Sequence, residues 1–333
     1  MIEIYKGTKI FILCPAKAAT GGPEAIHQLA YNLRKELNLD ARIFYYPPNV
    51  PDPVHEDYKM YDIPFVNSIE DGQDHLLIVP EVYEGLLNFT RYNEGRKIIW
   101  WLSVDNFYET RHNHYLNLFK VFNVISLSFE KTILKDPFVR QASYHLVQSF
   151  YAKKELSGEG LPEERMAVVS DYLNDFFLNQ RTDDGEKENI VAYNPRKGYE
   201  FTQKIIDTAR DVRFVPLIDM TRDEVIGTLK KAMVYIDFGN FPGKDRIPRE
   251  AAMLGCCVIT GKRGAAAYHE DFPIPDEYKF EDKIENIPII TGKIKECFAL
   301  FKEKNGDFDG FREIIKKDKS KFVEDLKSIF IKK

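Results

Sequence analysis

The sequence predicts an α/β protein made of two Rossmann-like, doubly wound domains, and three features predict it. Short apolar, β-branched runs alternate with amphipathic helical stretches along most of the chain, the pattern of a parallel sheet covered on both faces. At 333 residues the chain is long enough for two hydrophobic cores. A polar stretch without periodicity, residues 178–189, separates the alternation into two series. This division places an N-terminal domain at 1–178, a C-terminal domain at 187–310 and a closing helix at 311–333.

Composition narrows the function classes. Charged residues make up 30% and aromatics 13%, as in an ordinary globular protein, and the net charge of −5 gives no electrostatic reason to expect a nucleic-acid partner. Cys14, Cys256, Cys257 and Cys297 lack metal-ligand spacing and point to a reducing compartment. The N-terminal stretch lacks the basic and apolar regions of a signal peptide, and no apolar run is long enough to span a bilayer, so the expected location is the cytoplasm.

In the first series, Lys9 to Cys14 reads as a buried strand. It runs through a Gly21-Gly22 pair into a helix from Glu24 to Leu37, with Ile26, Leu29, Ala30, Leu33 and Leu37 on one face. A glycine pair there lets backbone approach a ligand, although the G-x-G-x-x-G dinucleotide fingerprint is absent. His27, one turn into the helix, faces either the crevice or the core. Further strands are expected at Arg42 to Tyr46, Leu76 to Val79, Lys97 to Trp101, Phe122 to Leu127, Tyr144 to Gln148 and Met166 to Ser170. Glu81, Asp105 and Asn106 fall just beyond strand ends, where such sheets bind ligands, and are candidates for hydrogen bonds to one. Asp105 is also a candidate general base; the competing reading is an Asx turn. In Arg111-His112-Asn113-His114 the two histidines do not share a helical face and no third ligand is near, so no metal site is expected.

The second series centres on MVYIDFGNFPGKDRIPREAAMLGCCVITGKRG, residues 233–264. It reads as a strand (Val234 to Phe238), a loop broken by Gly239, Pro242 and Gly243, a helix from Arg249 to Leu254, and a strand from Cys256 to Thr260. Lys244, Arg246 and a helix N-terminus converge at the carboxyl end of the first strand, which suits a phosphate or diphosphate. Glu250, one turn in, is placed to accept from a sugar hydroxyl beside that phosphate. Lys262 and Arg263 form a glycine-bounded basic turn that suits phosphate or an acceptor. The alternative is an ordinary core crossover with solvated charges. Before this stretch, Ile190 to Tyr193 and Val212 to Ile218 read as strands, Tyr199 to Ala209 as a helix, and Thr221 to Glu224 as a capping box. Two helices fill the tail, from Pro288 to Lys304 and from Phe311 onward. The last carries Phe322, Val323, Leu326, Ile329 and Phe330 on one face amid many lysines; it reads as a packing helix or as a peripheral membrane contact.

The run REAAMLGCCVITG resembles the nucleotide-sugar-binding element of GT-B-fold glycosyltransferases: a Glu, a small residue, then Gly and an apolar strand. The longer phrase GKDRIPREAAMLGCCVITGKRGAAAY is similar to a divergent group from bacterial surface-polysaccharide (capsule and O-antigen) clusters. The resemblance implies that Glu250 holds the ribose, that Gly21 and Gly22 face the donor sugar and acceptor, and that Arg196 and Lys197, before Gly198, contact the donor diphosphate. It departs from the retaining enzymes at Pro242, where they carry a second Glu. What it implies as a whole is metal-independent, cofactor-free transfer of a sugar from a nucleotide donor, a UDP-sugar first, to a surface glycan or lipid-linked acceptor, with retention. Three other readings stay open: a nucleotide-sugar epimerase, a nicotinamide oxidoreductase, and a non-catalytic subunit that binds a glycan or a partner.

Overall fold

The protein is described here by a computed structural model, which covers residues 1–82, 92–110, 136–178, 180 and 187–333. The expected strand at Phe122 to Leu127 and the Arg111-to-His114 run lie outside these residues. The described chain divides into two compact units, Met1–Asp171 with Ser320–Lys333, and Tyr172–Lys319. The second unit begins ahead of the polar stretch at 178 because Leu173 and Phe177 are buried in its core.

The first unit holds β1 (Ile2–Ile4), β2 (Lys9–Pro15), β3 (Asp40–Tyr46), β4 (Phe65–Val66), β5 (Leu76–Pro80), β6 (Arg96–Trp101), β7 (Tyr144–Val147) and β8 (Met166–Val168). Seven of these form one parallel sheet in the order β4-β3-β2-β5-β6-β7-β8. The order reverses between β2 and β5, which opens a crevice beyond their carboxyl ends. Strands such as β5 are apolar along their whole length because helices cover both faces. The helices of this unit are α1 (Gly21–Lys35), α2 (residues 104–110), α3 (Pro137–Gln141) and α4 (Phe150–Gly158). α1 starts ahead of the expected Glu24, since Pro23 is tolerated in a first turn. The remaining strand, β1, pairs in parallel with β14 (Phe330–Lys332), an apolar segment too short to stand out in the sequence.

The second unit holds β9 (Glu188–Tyr193), β10 (Arg213–Pro216), β11 (Ala232–Asp237), β12 (Cys257–Gly261) and β13 (Lys279–Phe280), all parallel, in the order β10-β9-β11-β12-β13. Here the order reverses between β9 and β11. The helices are α5 (Asp175–Leu178), α6 (Tyr199–Thr208), α7 (Arg222–Lys231), α8 (Arg246–Met253), α9 (Ile287–Ala299) and α10 (Phe301–Gly306). The long α11 (Asp309–Ile329) begins in this unit and its last residues belong to the first. Thr221 and Glu224 make the expected capping box of α7. In contrast, α8 begins at Arg246 rather than Arg249, so Arg246 is a helical residue and not a loop cation. Cys256 precedes β12, and all four cysteines are buried. The apolar face of α11 is also buried, through Phe311, Ile315, Phe322, Leu326 and Ile329, and is spent inside the protein rather than offered to a lipid surface. Among the described residues no helix is long and apolar enough to cross a membrane.

Lys187, in the stretch read as a linker, anchors this unit. Its ammonium donates to Leu229 O (3.1 Å), Ala232 O (2.8 Å) and Leu254 O (2.8 Å), closing the carboxyl ends of α7 and α8, and burial lowers its pKa. Replacing it leaves three buried carbonyls without this donor. Lys187→Met is therefore expected to destabilise the second unit by about 2–4 kcal/mol, read as a lowered denaturation midpoint.

Two neutral histidines do the equivalent in the first unit. His27 Nδ1 donates to Pro23 O (2.7 Å), Nε2 accepts from Tyr45 OH (2.8 Å), and the ring stacks on Tyr58. His145 Nδ1 accepts from Trp101 Nε1 at 3.1 Å, which leaves the proton on Nε2. Burial lowers the pKa of His27 to about 4 and that of His145 to about 3. The unfolded chain binds these protons near pH 6.5 and the folded one does not, so stability present at pH 7 is lost as pH falls through this window. The expected loss at pH 5 is roughly 2 kcal/mol per histidine. Urea midpoints at pH 7 and 5 should therefore differ less in His145→Asn than in the parent.

Candidate functional site

The loops after β9 and β11 meet at the switch point of the second sheet through bare backbone. Gly198 has a φ of +60°, and a Cβ there would overlap Phe238 O. A Cβ at Gly239 would overlap Lys197 Cβ, and one at Gly264 (φ +49°) would overlap Phe241 O. Three loops at the carboxyl ends of β9, β11 and β12 are thus pressed together, and Lys197 lies across the β11 loop. Its Nζ stands 2.7 Å from Asp245 Oδ2, the residue at the N-cap of α8.

Beneath this ion pair lies a buried polar group that the sequence did not reveal. Tyr235 and Asp237 share a face of β11, and Thr260 of β12 is in register with Asp237. Tyr235 OH donates to Asp237 Oδ2 (3.0 Å) and Gly239 N–H to Asp237 Oδ1 (2.9 Å). Burial, reinforced by the nearby Asp245 charge, pushes the Asp237 carboxyl up to about 7. Asp237, Asp245 and Glu250 all act electrostatically on Tyr235, and burial among them raises its pKa. Glu250, on the second turn of α8, is largely buried beside them.

The remaining cations fall into a shielded set and an exposed set. Lys244 is 13% exposed and its Nζ lies 3.4 Å from Asp318 Oδ1 on α11, so it is turned inward rather than toward a ligand. Arg249, fully buried, donates to Lys244 O (2.9 Å) and Asp245 O (3.2 Å) and reaches Asp318 Oδ2 at 3.5 Å, which ties the loop to the last helix. Arg246 opens α8 with Nε and Nη2 shielded from solvent. Arg196 is largely exposed, 3.9 Å from Asp219. Lys262 is exposed, and Arg263 is half-exposed, with Nε 2.7 Å from a buried Asp282 and Nη1 3.5 Å from Asn240 Oδ1.

In the first unit, Gly21 and Gly22 form the opening turn of α1 beyond β2, at the switch point of that sheet. A Cβ on Gly22 would meet Leu102 Cδ1 at an ordinary 3.6 Å, so crowding within the fold does not demand glycine there. His27 is buried with both nitrogens engaged, so of the two directions open to it the ring takes the core. Glu81 is likewise spent internally, accepting from Leu102 N–H at 2.8 Å. Asp105 and Asn106 sit in the first turn of α2 rather than in an Asx turn. Ser103 Oγ accepts from Asn106 N–H (3.0 Å), and Tyr151 OH donates to Asp105 Oδ1 (2.7 Å). That serine cap was readable in the sequence. Among the described residues no group of three His, Cys, Asp or Glu side chains is arranged to hold a metal.

Two parallel, doubly wound units of this kind define the GT-B fold, and solved structures bear this out. Anabaena HepE in complex with UDP-glucose matches with a TM-score of 0.63 at 12% identity, over 96% of this chain and 100% of its own. Sucrose-phosphate synthase from Thermosynechococcus elongatus matches at 0.63 and 13%, over 97% and 98% of the two chains. The lipopolysaccharide outer core galactosyltransferase WaaB, in its apo form, matches at 0.60 and 11%, over 98% and 99%. The chain therefore has the GT-B fold. No protein-family model matches the sequence, and no curated protein matches it significantly.

The raised Asp237 carboxyl makes a specific pH dependence. Between about pH 4 and 7 the folded protein keeps a proton that the unfolded chain has released, so the stability of the second unit falls as pH rises. The slope reaches at most about 1.4 kcal/mol per pH unit. Hydrogen exchange of β11 amides across this range should show the slope in the parent and a flat profile in Asp237→Asn.

Proposed function

We propose that this chain is a nucleotide-sugar-dependent glycosyltransferase that acts on a cell-surface glycan or lipid-linked acceptor in the cytoplasm, without a metal and with retention. The observation that carries the reading is Lys197 and the N-terminus of α8 at the β9/β11 switch point, with Glu250 on the next turn. An ammonium and a helix N-terminus suit a diphosphate, and a largely buried carboxylate beside them suits the ribose hydroxyls. HepE, which shares the fold, is solved with UDP-glucose, and this supports a UDP-sugar as donor.

In this reading Lys197 stabilises the charge that develops on the leaving diphosphate, the largest lever on the barrier in a site closed to water. Arg196 reaches the same phosphates from the loop after β9, and Lys262 and Arg263 serve the β12 side. Lys244 and Arg246 act from behind the loop and hold its shape. The resemblance assigns Gly21 and Gly22 to the donor sugar and acceptor, and Asn106 to a sugar hydroxyl. Asp105 accepts from Tyr151 through Oδ1, and a carboxylate held in this way can still take a proton, so it is the base this reading offers should the transfer invert. The competing reading, a non-catalytic subunit that binds a glycan or a partner, rests on Pro242 standing where a Glu is usual.

Incubation with UDP-, dTDP-, GDP- and CMP-sugars tests the proposal, with nucleotide release as the readout. Turnover is expected with one donor, and Lys197→Ala should lower it by about 10²–10³-fold. Binding without turnover would favour the subunit. Glu250→Ala should raise the nucleotide Kd about tenfold with the fold kept; unchanged affinity would refute the ribose assignment.

A further inference from the structure

Asp245 stands at the N-cap of α8, where an Asp ordinarily accepts from the amides of the first turn. Its side chain makes no capping hydrogen bond; Oδ2 instead lies 2.7 Å from Lys197 Nζ. The same residue therefore links the two features an anion seeks at this switch point, the ammonium and the helix N-terminus. Asp245 also acts electrostatically on Tyr235 and Asp237. A dianionic diphosphate approaching Lys197 would meet this carboxylate at close range and be repelled by it.

We propose that Asp245 is a built-in counter-ion that holds Lys197 in place until the donor's diphosphate displaces it. The inference rests on the reading of the site given above and adds how that site is regulated. Rotation of the Asp245 side chain exchanges one partner for another: the carboxylate leaves Lys197 and caps its own helix. The new cap offsets part of the cost of breaking the pair. In the absence of donor, the pair keeps Lys197 ordered over Gly239 and raises the threshold for weakly charged anions. Asp245 is thus a specificity-determining residue that favours a diphosphate over a single phosphate.

The test is calorimetric titration of the full chain with UDP, dTDP and GDP, each beside its uncharged nucleoside. For the tightest of the three, Asp245→Asn is expected to bind about tenfold more tightly than the parent, with nucleoside affinity unchanged. Asn caps a helix as well as Asp does, so the variant should fold. Lys197→Met should weaken diphosphate binding, and Asp245→Asn should gain clearly less in that background than in the parent, because the competed cation is gone and only the carboxylate's own repulsion is relieved. Equal or weaker diphosphate binding by Asp245→Asn, with Lys197→Met still weakened, would overturn the counter-ion and leave the donor site standing. Lys197→Met binding as the parent does, or no diphosphate binding by any form, would overturn both.

Discussion

Gly198 lies against Phe238 O and Gly239 against Lys197 Cβ, so the loops after β9 and β11 touch through backbone that leaves no room for a side chain. The other features of the second unit's carboxyl face follow from this contact. It lays Lys197 across the neighbouring loop within reach of Asp245, and it buries Asp237 under the crossing. Once buried, that carboxyl takes the hydrogen bonds nearest to it, from Tyr235 and Gly239, and still favours its proton. A larger residue at 198 or 239 would part the loops and rearrange the electrostatics of the whole face, although neither glycine carries any charge.

The second organising feature is a set of buried charges that hold rather than react. Lys244, Arg249 and Asp318 join the entry of α8 to α11, and Lys187 closes α7 and α8. Burying such groups is costly unless each finds partners, and here the partners are carbonyl ends and one carboxylate on the last helix. The exposed cations, Arg196, Lys262 and Arg263, form a different population. The division explains why a cation-rich sequence around residue 244 marks a site although part of its charge faces inward.

Much of the fold was legible because its signal is local. Apolar runs flanked by Gly and Pro located β2, β5, β6, β9 and β11, and Thr221 with Glu224 announced α7. The short segments β1, β4, β13 and β14 were not legible, since two or three residues carry no periodicity. The helix expected from Arg249 starts three residues earlier, at Arg246, because Pro248 is accommodated within the first turn of α8. The site was legible in its residue types but not in its pairings. That Asp237 lies beside Thr260, or that Asp318 meets Lys244, depends on strand register and on contacts far apart in the chain. His27 shows the same limit, because its partners Tyr45 and Tyr58 come from other elements.

All four thiols are hidden in the folded chain, Cys14 in β2 of the first unit and Cys256, Cys257 and Cys297 in the second. An alkylating reagent added under native conditions therefore reports only on excursions that bring these sulfurs into water. Mass spectrometry of the modified peptides would time the breathing of each unit separately, with no label, tag or engineered residue required.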